Sequence, residues 1–205
     1  MTHEEVLWEL AKDRVPLTRW WMHELERHRR RVLRCRSFPY SISVEHTTPS
    51  RNRYLIVSRI YDKRQTKVMT GVLALEMSNG MTVYTSWLTN QNIGSPMVML
   101  PHMWRRYRER TGSNLSGIAL VKSFFETNPF GAVSCNKRVF SKSVRYNGAD
   151  HLACCVQDGV LLGELHGDLF KAKTFITYDM TCGLQQEVFE AGNEKLKIRK
   201  LISDW

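Results

Sequence analysis

Hydrophobic and polar positions change their period several times along the chain, and the changes mark out alternating helical and extended stretches. Over residues 3–36 apolar side chains recur every three or four positions, as one face of a helix requires. Val6, Leu7, Leu10 and Ala11 form a first stripe, and Leu17, Trp20, Trp21, Leu25 and Val32 a broader second one. Pro16 lies between them. It has no N–H to give to a helix interior and biases Val15 away from helical angles, so two helices broken at Pro16 are expected. From Tyr40 to Thr89 short runs rich in Val, Ile, Tyr and Thr replace the helical period. Arg53–Tyr61, Lys67–Glu76 and Met81–Thr89 predict an antiparallel meander, joined through the polar stretch Asp62 to Thr66 and a Ser78-Asn79-Gly80 turn.

Asn90 to Ser95 reads as a polar loop, and Pro96 to Leu100 as an apolar lead into a helix. Pro101 suits the first turn of that helix and Gly112 its end. A second helix, capped by Asn114 or Ser116, is expected to run to about Asn128, with Leu115, Ile118, Val121, Phe124 and Phe125 at helical spacing. The Asn-Pro-Phe-Gly run at 128–131 stops it. Strands return over Ala132–Phe140, Lys142–Tyr146, His151–Gln157, Val160–Leu165 and Lys171–Tyr178. Asp158-Gly159, set between two apolar runs, signals a hairpin through a type I′ turn. Beyond Thr181, Leu184, Val188, Phe189, Leu196 and Leu201 predict a terminal helix, weakened at Gly192.

The expected fold class is therefore α+β, with N-terminal helices, an antiparallel β-meander, a central helical hairpin, a second β-meander and a C-terminal helix. No linker or repeat stands out, so residues 1–205 read as a single α+β domain that could be subdivided into 1–95 and 96–205.

Length and composition add that this is an ordinary globular chain, 205 residues with 42% hydrophobic content. Five cysteines without a CxxC pair read as reduced thiols. No window approaches the roughly 18 apolar residues of a membrane span, and Met1 to Leu10 lacks a signal-peptide core. A soluble, cytoplasmic protein with no membrane partner is the expectation. The formal net charge of +10 favours a polyanionic partner. Its distribution sharpens this, because residues 101–146 hold nine basic and two acidic side chains, whereas 147–205 hold six and nine.

Several chemistries fail on spacing. His23 and His28 sit one residue too far apart for an HExxH zinc helix, where i and i+4 put both imidazoles on one face. Cys154 and Cys155 are adjacent in a strand and point to opposite faces, which suits packing better than shared ligation. Asp150, Asp158, Glu164, Asp168 and Asp179 lie near strand ends and turns without the acid-pair and lysine spacing of a metal nuclease. GxGxxG, GxxxxGK[ST] and GxSxG are missing. Cys182, near a helix start, reads as a capping or packing residue. No metal and no cofactor are expected.

The segment Pro101 to Gly112, PHMWRRYRERTG, remains. As a helix it places Met103, Trp104, Tyr107 and Thr111 on one stripe and His102, Arg105, Arg106, Glu109 and Arg110 on the opposite arc. Burial of the aromatic stripe leaves a His/Arg/Glu front. Metal-independent RNA cleavage uses such residue types, an acid or base to move protons and cations to hold phosphate as charge develops. The HxxxRxxxR pattern His102-Arg106-Arg110 resembles helices of small bacterial toxin ribonucleases of the RelE-like and BrnT-like kind, over about residues 100–180. In those proteins such a helix leads into a second helix and a β-meander, as the order here does.

That resemblance implies a toxin-like ribonuclease with His102 and Glu109 as candidate catalytic residues. The first 95 residues have no counterpart in it, and ordinary surface pairing of Glu109 with Arg105 or Arg106 explains part of the same pattern. The leading expectation is therefore a nucleic-acid-binding protein, its partner RNA or DNA, contacted through Arg105, Arg106 and Arg110 with help from Lys137, Arg138, Lys142 and Arg145. A metal-independent ribonuclease is the first alternative, and a protein-interaction module for an acidic partner the second.

Overall fold

The structure, a computed structural model, describes residues 2–64, 69–76, 80–88, 97–128, 133–134, 150–167 and 169–203. Helices and strands alternate in blocks, and the fold class is α+β as expected. The chain gathers into two units, Met1–Leu75 with Tyr84–Pro96, and Glu76–Val83 with Met97–Trp205. Among the described residues no helix is long and apolar enough to cross a membrane.

The first unit begins with a long helix. One helix, α1 (His3–Arg34), runs straight through Pro16 where two helices were expected. Its buried positions are Val6, Leu10, Asp13, Leu17, Trp21, Glu24 and Val32, a stripe that steps by three or four residues as far as Glu24 and then by eight to Val32, without losing phase at the proline. A proline inside a helix costs about 3 kcal/mol. Burying Leu10, Leu17 and Trp21 on either side of it returns roughly 1.5–3 kcal/mol each, and a break would put the two halves of the stripe out of register. Packing therefore overrides local propensity. At the N-terminus Thr2 and Glu5 form a reciprocal capping box, each side chain accepting from the other's backbone N–H.

Strands β1 (Tyr40–Thr47), β2 (Arg53–Ile60) and β3 (Met69–Glu76) are successive antiparallel neighbours, and β4 (Thr82–Leu88) follows β3. The expected meander is thus present within one or two residues at its described ends. Ser78 and Asn79 of its second turn, and the loop Asn90 to Ser95, lie outside the described residues.

One polar node ties α1 to this sheet. Asp13, only 1% exposed, accepts hydrogen bonds on Oδ2 from Thr48 Oγ1 (2.8 Å), Asn52 Nδ2 (2.8 Å) and Tyr54 Oη (2.9 Å). Burial by itself pushes this carboxyl up, but the donors favour the ionised form more strongly and hold it below the ordinary carboxylate value. A group depressed in this way contributes stability above its unfolded-state pKa and loses it as pH falls through the folded value.

The second unit holds β5 (Met97–Met99), α2 (Pro101–Thr111), α3 (Gly117–Thr127), β6 (Val133–Ser134), β7 (Asp150–Val156), β8 (Gly159–His166), β9 (Leu169–Ile176) and α4 (Leu184–Ser203). Its strand order is β5-β9-β8-β7-β6. The lead into α2 is thus itself a short strand, because Met97 to Met99 pair in parallel with Phe170 to Ala172 of β9. Only Val133 and Ser134 of the expected 132–140 strand are described, and 142–146 lies outside the described residues.

The β7–β8 hairpin exists, but its turn is shifted. Val156 pairs with Gly159, so Gln157 and Asp158 form the loop and Gly159 belongs to the strand. Arg51 is the one non-glycine with positive φ among the described residues, which excludes the type I′ turn expected there. Gly159 is needed for a different reason: a Cβ at that position would run into the backbone carbonyl of Ile176 on β9. Cys154 and Cys155 are both buried, as their opposite orientations in a covered strand require.

Replacing Asp13 by Ala is expected to cost about 3 kcal/mol of stability by urea unfolding, since the buried Thr48 and Tyr54 hydroxyls lose an acceptor and the Asn52 amide keeps only Glu9. Wild-type stability is expected to fall as pH drops below about 4, and Asp13→Asn to flatten that acid-side slope.

Candidate nucleic-acid interface

Helix α2 is short, polar on one face and fixed on the other. Its mean composition is strongly charged, so an isolated eleven-residue helix of this kind would be marginal in water. Tertiary anchors make up the difference. Met103, Trp104 and Tyr107 are buried, as the stripe reading expects, whereas Thr111 is exposed and its hydroxyl turns back to donate to the Tyr107 carbonyl (2.8 Å). Pro101 opens the first turn, and Gly112 closes the helix in the left-handed region (φ 64°), which only glycine adopts without strain.

Aromatic packing locks α2 against α3 and β9. Trp104 and Tyr107 each meet Phe124 of α3 edge to face, at ring-centroid distances of 5.4 and 4.9 Å, and Tyr107 meets Phe175 of β9 in the same way at 4.9 Å. At the bottom of this cluster a second polar node appears. Asp158, in the β7–β8 turn, accepts on Oδ2 from Tyr107 Oη (2.7 Å) and from Asn128 Nδ2 (2.9 Å), while its own N–H donates to Asn128 Oδ1 (3.0 Å). Asn128 is the C-cap of α3 and 2% exposed. Burial, followed by the hydrogen bond to Asp158 and its negative charge, pushes the Tyr107 hydroxyl well above the ordinary tyrosine range, so it stays a donor at all ordinary pH.

The polar arc of α2 is resolved residue by residue. His102 and Arg105 are exposed and bonded to each other, Arg105 Nη2 lying 2.7 Å from His102 Nδ1. Arg106 pairs with Glu109 at 2.9 Å, one turn on. Arg110 folds back, and its Nη1 donates to the carbonyl of Phe175 at the end of β9. His102, Arg105, Arg106, Glu109 and Arg110 are thus gathered on one helix, each with a neighbour inside the unit. Lys137, Arg138, Lys142 and Arg145 lie outside the described residues.

What separates these arginines is whether a carboxylate neutralises them. Arg106 has Glu109. Arg105 and Arg110 are bonded to neutral acceptors, an imidazole nitrogen and a backbone carbonyl. Arg108, exposed and absent from the sequence-based site, has no carboxylate partner among the described residues. The signal for it was available: it stands one residue outside the arc in a run of four arginines.

Among the described residues the C-terminal acids do not converge on a centre. Asp158 is committed to the node above, and Glu164 is paired with Lys173 and His166, the lysine first among the contacts that hold its carboxyl below the ordinary range. Among the described residues no three His, Cys, Asp or Glu side chains gather to hold a metal ion. One set of residues that positions the site escaped the sequence reading, the hydrogen-bonded node of Tyr107, Asn128 and Asp158.

Compared with protein-family models, with curated proteins and with solved structures, the chain matches none.

Truncating Asp158 to Ala is expected to lower stability by about 2–3 kcal/mol, because the Tyr107 hydroxyl loses its acceptor and the buried Asn128 amide keeps only the Phe124 carbonyl. Tyr107→Phe is expected to cost about 1–1.5 kcal/mol. Chemical denaturation of the two variants reads both figures.

Proposed function

We propose that the protein binds nucleic acid through the exposed face of α2, with Arg105, Arg108 and Arg106 as phosphate contacts and Arg110 holding the helix in place. The observation that carries this reading is the uncompensated charge. Three of the four arginines on α2 lack a carboxylate partner among the described residues, on a helix whose backbone is anchored by buried aromatics. A guanidinium fixed on a rigid helix loses little entropy when it meets a phosphate, and its planar fork suits phosphate oxygens. The overall charge of +10 supplies the long-range attraction.

The second reading keeps the same surface and adds chemistry. In it His102 moves a proton and Arg105, 2.7 Å away, steadies the phosphate as charge develops. Glu109 is less suited to act beside it, since its carboxylate is engaged by Arg106.

Arg105→Ala and Arg108→Ala are each expected to weaken binding of a short oligonucleotide by a similar factor whatever its sequence. Each is also expected to lower the slope of log affinity against log salt by about 0.7 for a single strand or 0.9 for a duplex. Fluorescence anisotropy across a salt series measures this, and an unchanged slope in both variants would rule out the α2 face. For the catalytic reading, EDTA-resistant RNA cleavage is expected to vanish in folded His102→Ala. Cleavage that persists would remove His102 from the chemistry.

A further inference from the structure

The first unit carries a feature that neither its fold nor the α2 face accounts for. On the side of α1 turned to solvent, Trp8 (65% exposed), Val15 (56%), Met22 (51%) and Leu33 (53%) are large apolar side chains in open water. Scattered surface hydrophobes need no explanation. These are not scattered. Trp8, Val15 and Met22 are spaced by seven, and seven residues are two helical turns to within about 20°. Arg29 continues the heptad, with Leu33 one turn beyond it and Glu4 one turn before Trp8. The buried stripe of α1, from Val6 to Val32, lies on the other side of the helix, so α1 is apolar on two opposite faces and the first unit covers one of them.

Charge along the same helix is sorted by end. From His3 to Asp13 there are four carboxylates and one lysine, and from Arg14 to Arg34 seven arginines and two glutamates. Beside Trp8 the acidic end opens into a surface groove of about 820 Å³ lined by Glu4, Glu5, Trp8, Glu9, Lys12 and Asn52. Glu4, Arg30 and Arg34 have no partner among the described residues. A ligand helix that fits must be apolar at heptad spacing, basic where α1 is acidic and acidic where α1 is basic. Run in the opposite direction, α1 itself meets all three conditions.

We propose that the exposed face of α1 is a self-association surface, on which a second copy of the chain docks its own α1 antiparallel about a two-fold axis. In the register that keeps the heptad in phase, Val15 faces Met22 of the partner subunit. Trp8, whose ring already carries Lys12 Nζ at 5.2 Å, then faces Arg29 of the partner subunit, whose guanidinium exchanges the exposed Glu26 of its own helix for the unpaired Glu4 carboxylate. Two-fold symmetry repeats each contact. A parallel pairing would set carboxylates against carboxylates and arginines against arginines, so charge selects the antiparallel arrangement. A helix of 32 residues is about 48 Å long and 10 Å wide, so the pair would bury roughly 1,000 Å² in total. That lies at the small end of specific interfaces, and the dimer is expected to dissociate on dilution.

Sedimentation velocity on the nuclease-treated full chain, over a wide concentration range, is the test. Wild type is expected to pass from monomer to dimer, and Met22→Glu to stay monomeric with an unchanged far-ultraviolet circular dichroism spectrum. The decisive arm is a charge swap that disturbs no buried group. Glu4→Lys and Arg29→Glu should each weaken self-association by about tenfold, since each places like charges together twice. Mixed in equal amounts they should regain wild-type affinity as a heterodimer, in which every swapped charge meets its opposite. A wild-type monomer at all concentrations would overturn the proposal. So would self-association that Met22→Glu leaves intact, or a mixture that associates no better than its components.

Discussion

One carboxylate oxygen, Oδ2 of Asp158, holds together the parts that make the arginine face possible. It takes a hydrogen bond from Tyr107 on α2 and another from Asn128 at the end of α3, and it sits in the turn between β7 and β8. Without it a short helix carrying four arginines would keep its apolar contacts and the Arg110 bond to the Phe175 carbonyl but lose its tie to α3 and the β7–β8 turn, and the buried Asn128 amide would be short of an acceptor. The Phe124 and Phe175 rings that flank Tyr107 shield its side of the node, and burial strengthens the Tyr107 bond there.

Asp13 plays the corresponding part in the first unit, and the likeness bears on surface charge. Both carboxylates are spent inward on neutral donors, hydroxyls and amides, rather than on arginines or lysines. Acids used this way leave cations elsewhere without a counter-charge. Among the described residues, positive charge without a carboxylate partner is therefore expressed on helix faces, at Arg105 and Arg108 on α2 and at the C-terminal end of α1. Such a surface attracts polyanions before any specific contact forms.

Much of the fold was legible because it is written in local periodicity. The first meander, α2 with its Pro101 and Gly112 boundaries, α3 and α4 follow from spacing and terminators, and the buried Met103-Trp104-Tyr107 stripe from the helical wheel. Pro16 misled because a local rule about one missing hydrogen bond cannot see the seven buried positions that keep α1 in phase across it. The Asp158 turn misled for a similar reason. Its dipeptide suits a type I′ turn, but the glycine is fixed by the approach of the β9 backbone, a contact between residues distant in sequence. Asp13 left a trace that could have been used, a carboxylate on an apolar stripe midway between Leu10 and Leu17, which implies buried donors. Among the α2 arginines the Arg106–Glu109 pair was legible in its i+3 spacing, whereas Arg110 left no trace, since it finds its acceptor in a β9 carbonyl that no spacing reveals.

The α2 face is tested most directly by mapping backbone amide and arginine side-chain resonances during titration with a short single-stranded oligonucleotide at low salt. The expected result is a set of shifts concentrated on residues 101–111, largest at Arg105 and Arg108, and reversed by added salt. Shifts confined to the arginines of α1, or none at all, would contradict a nucleic-acid interface on α2.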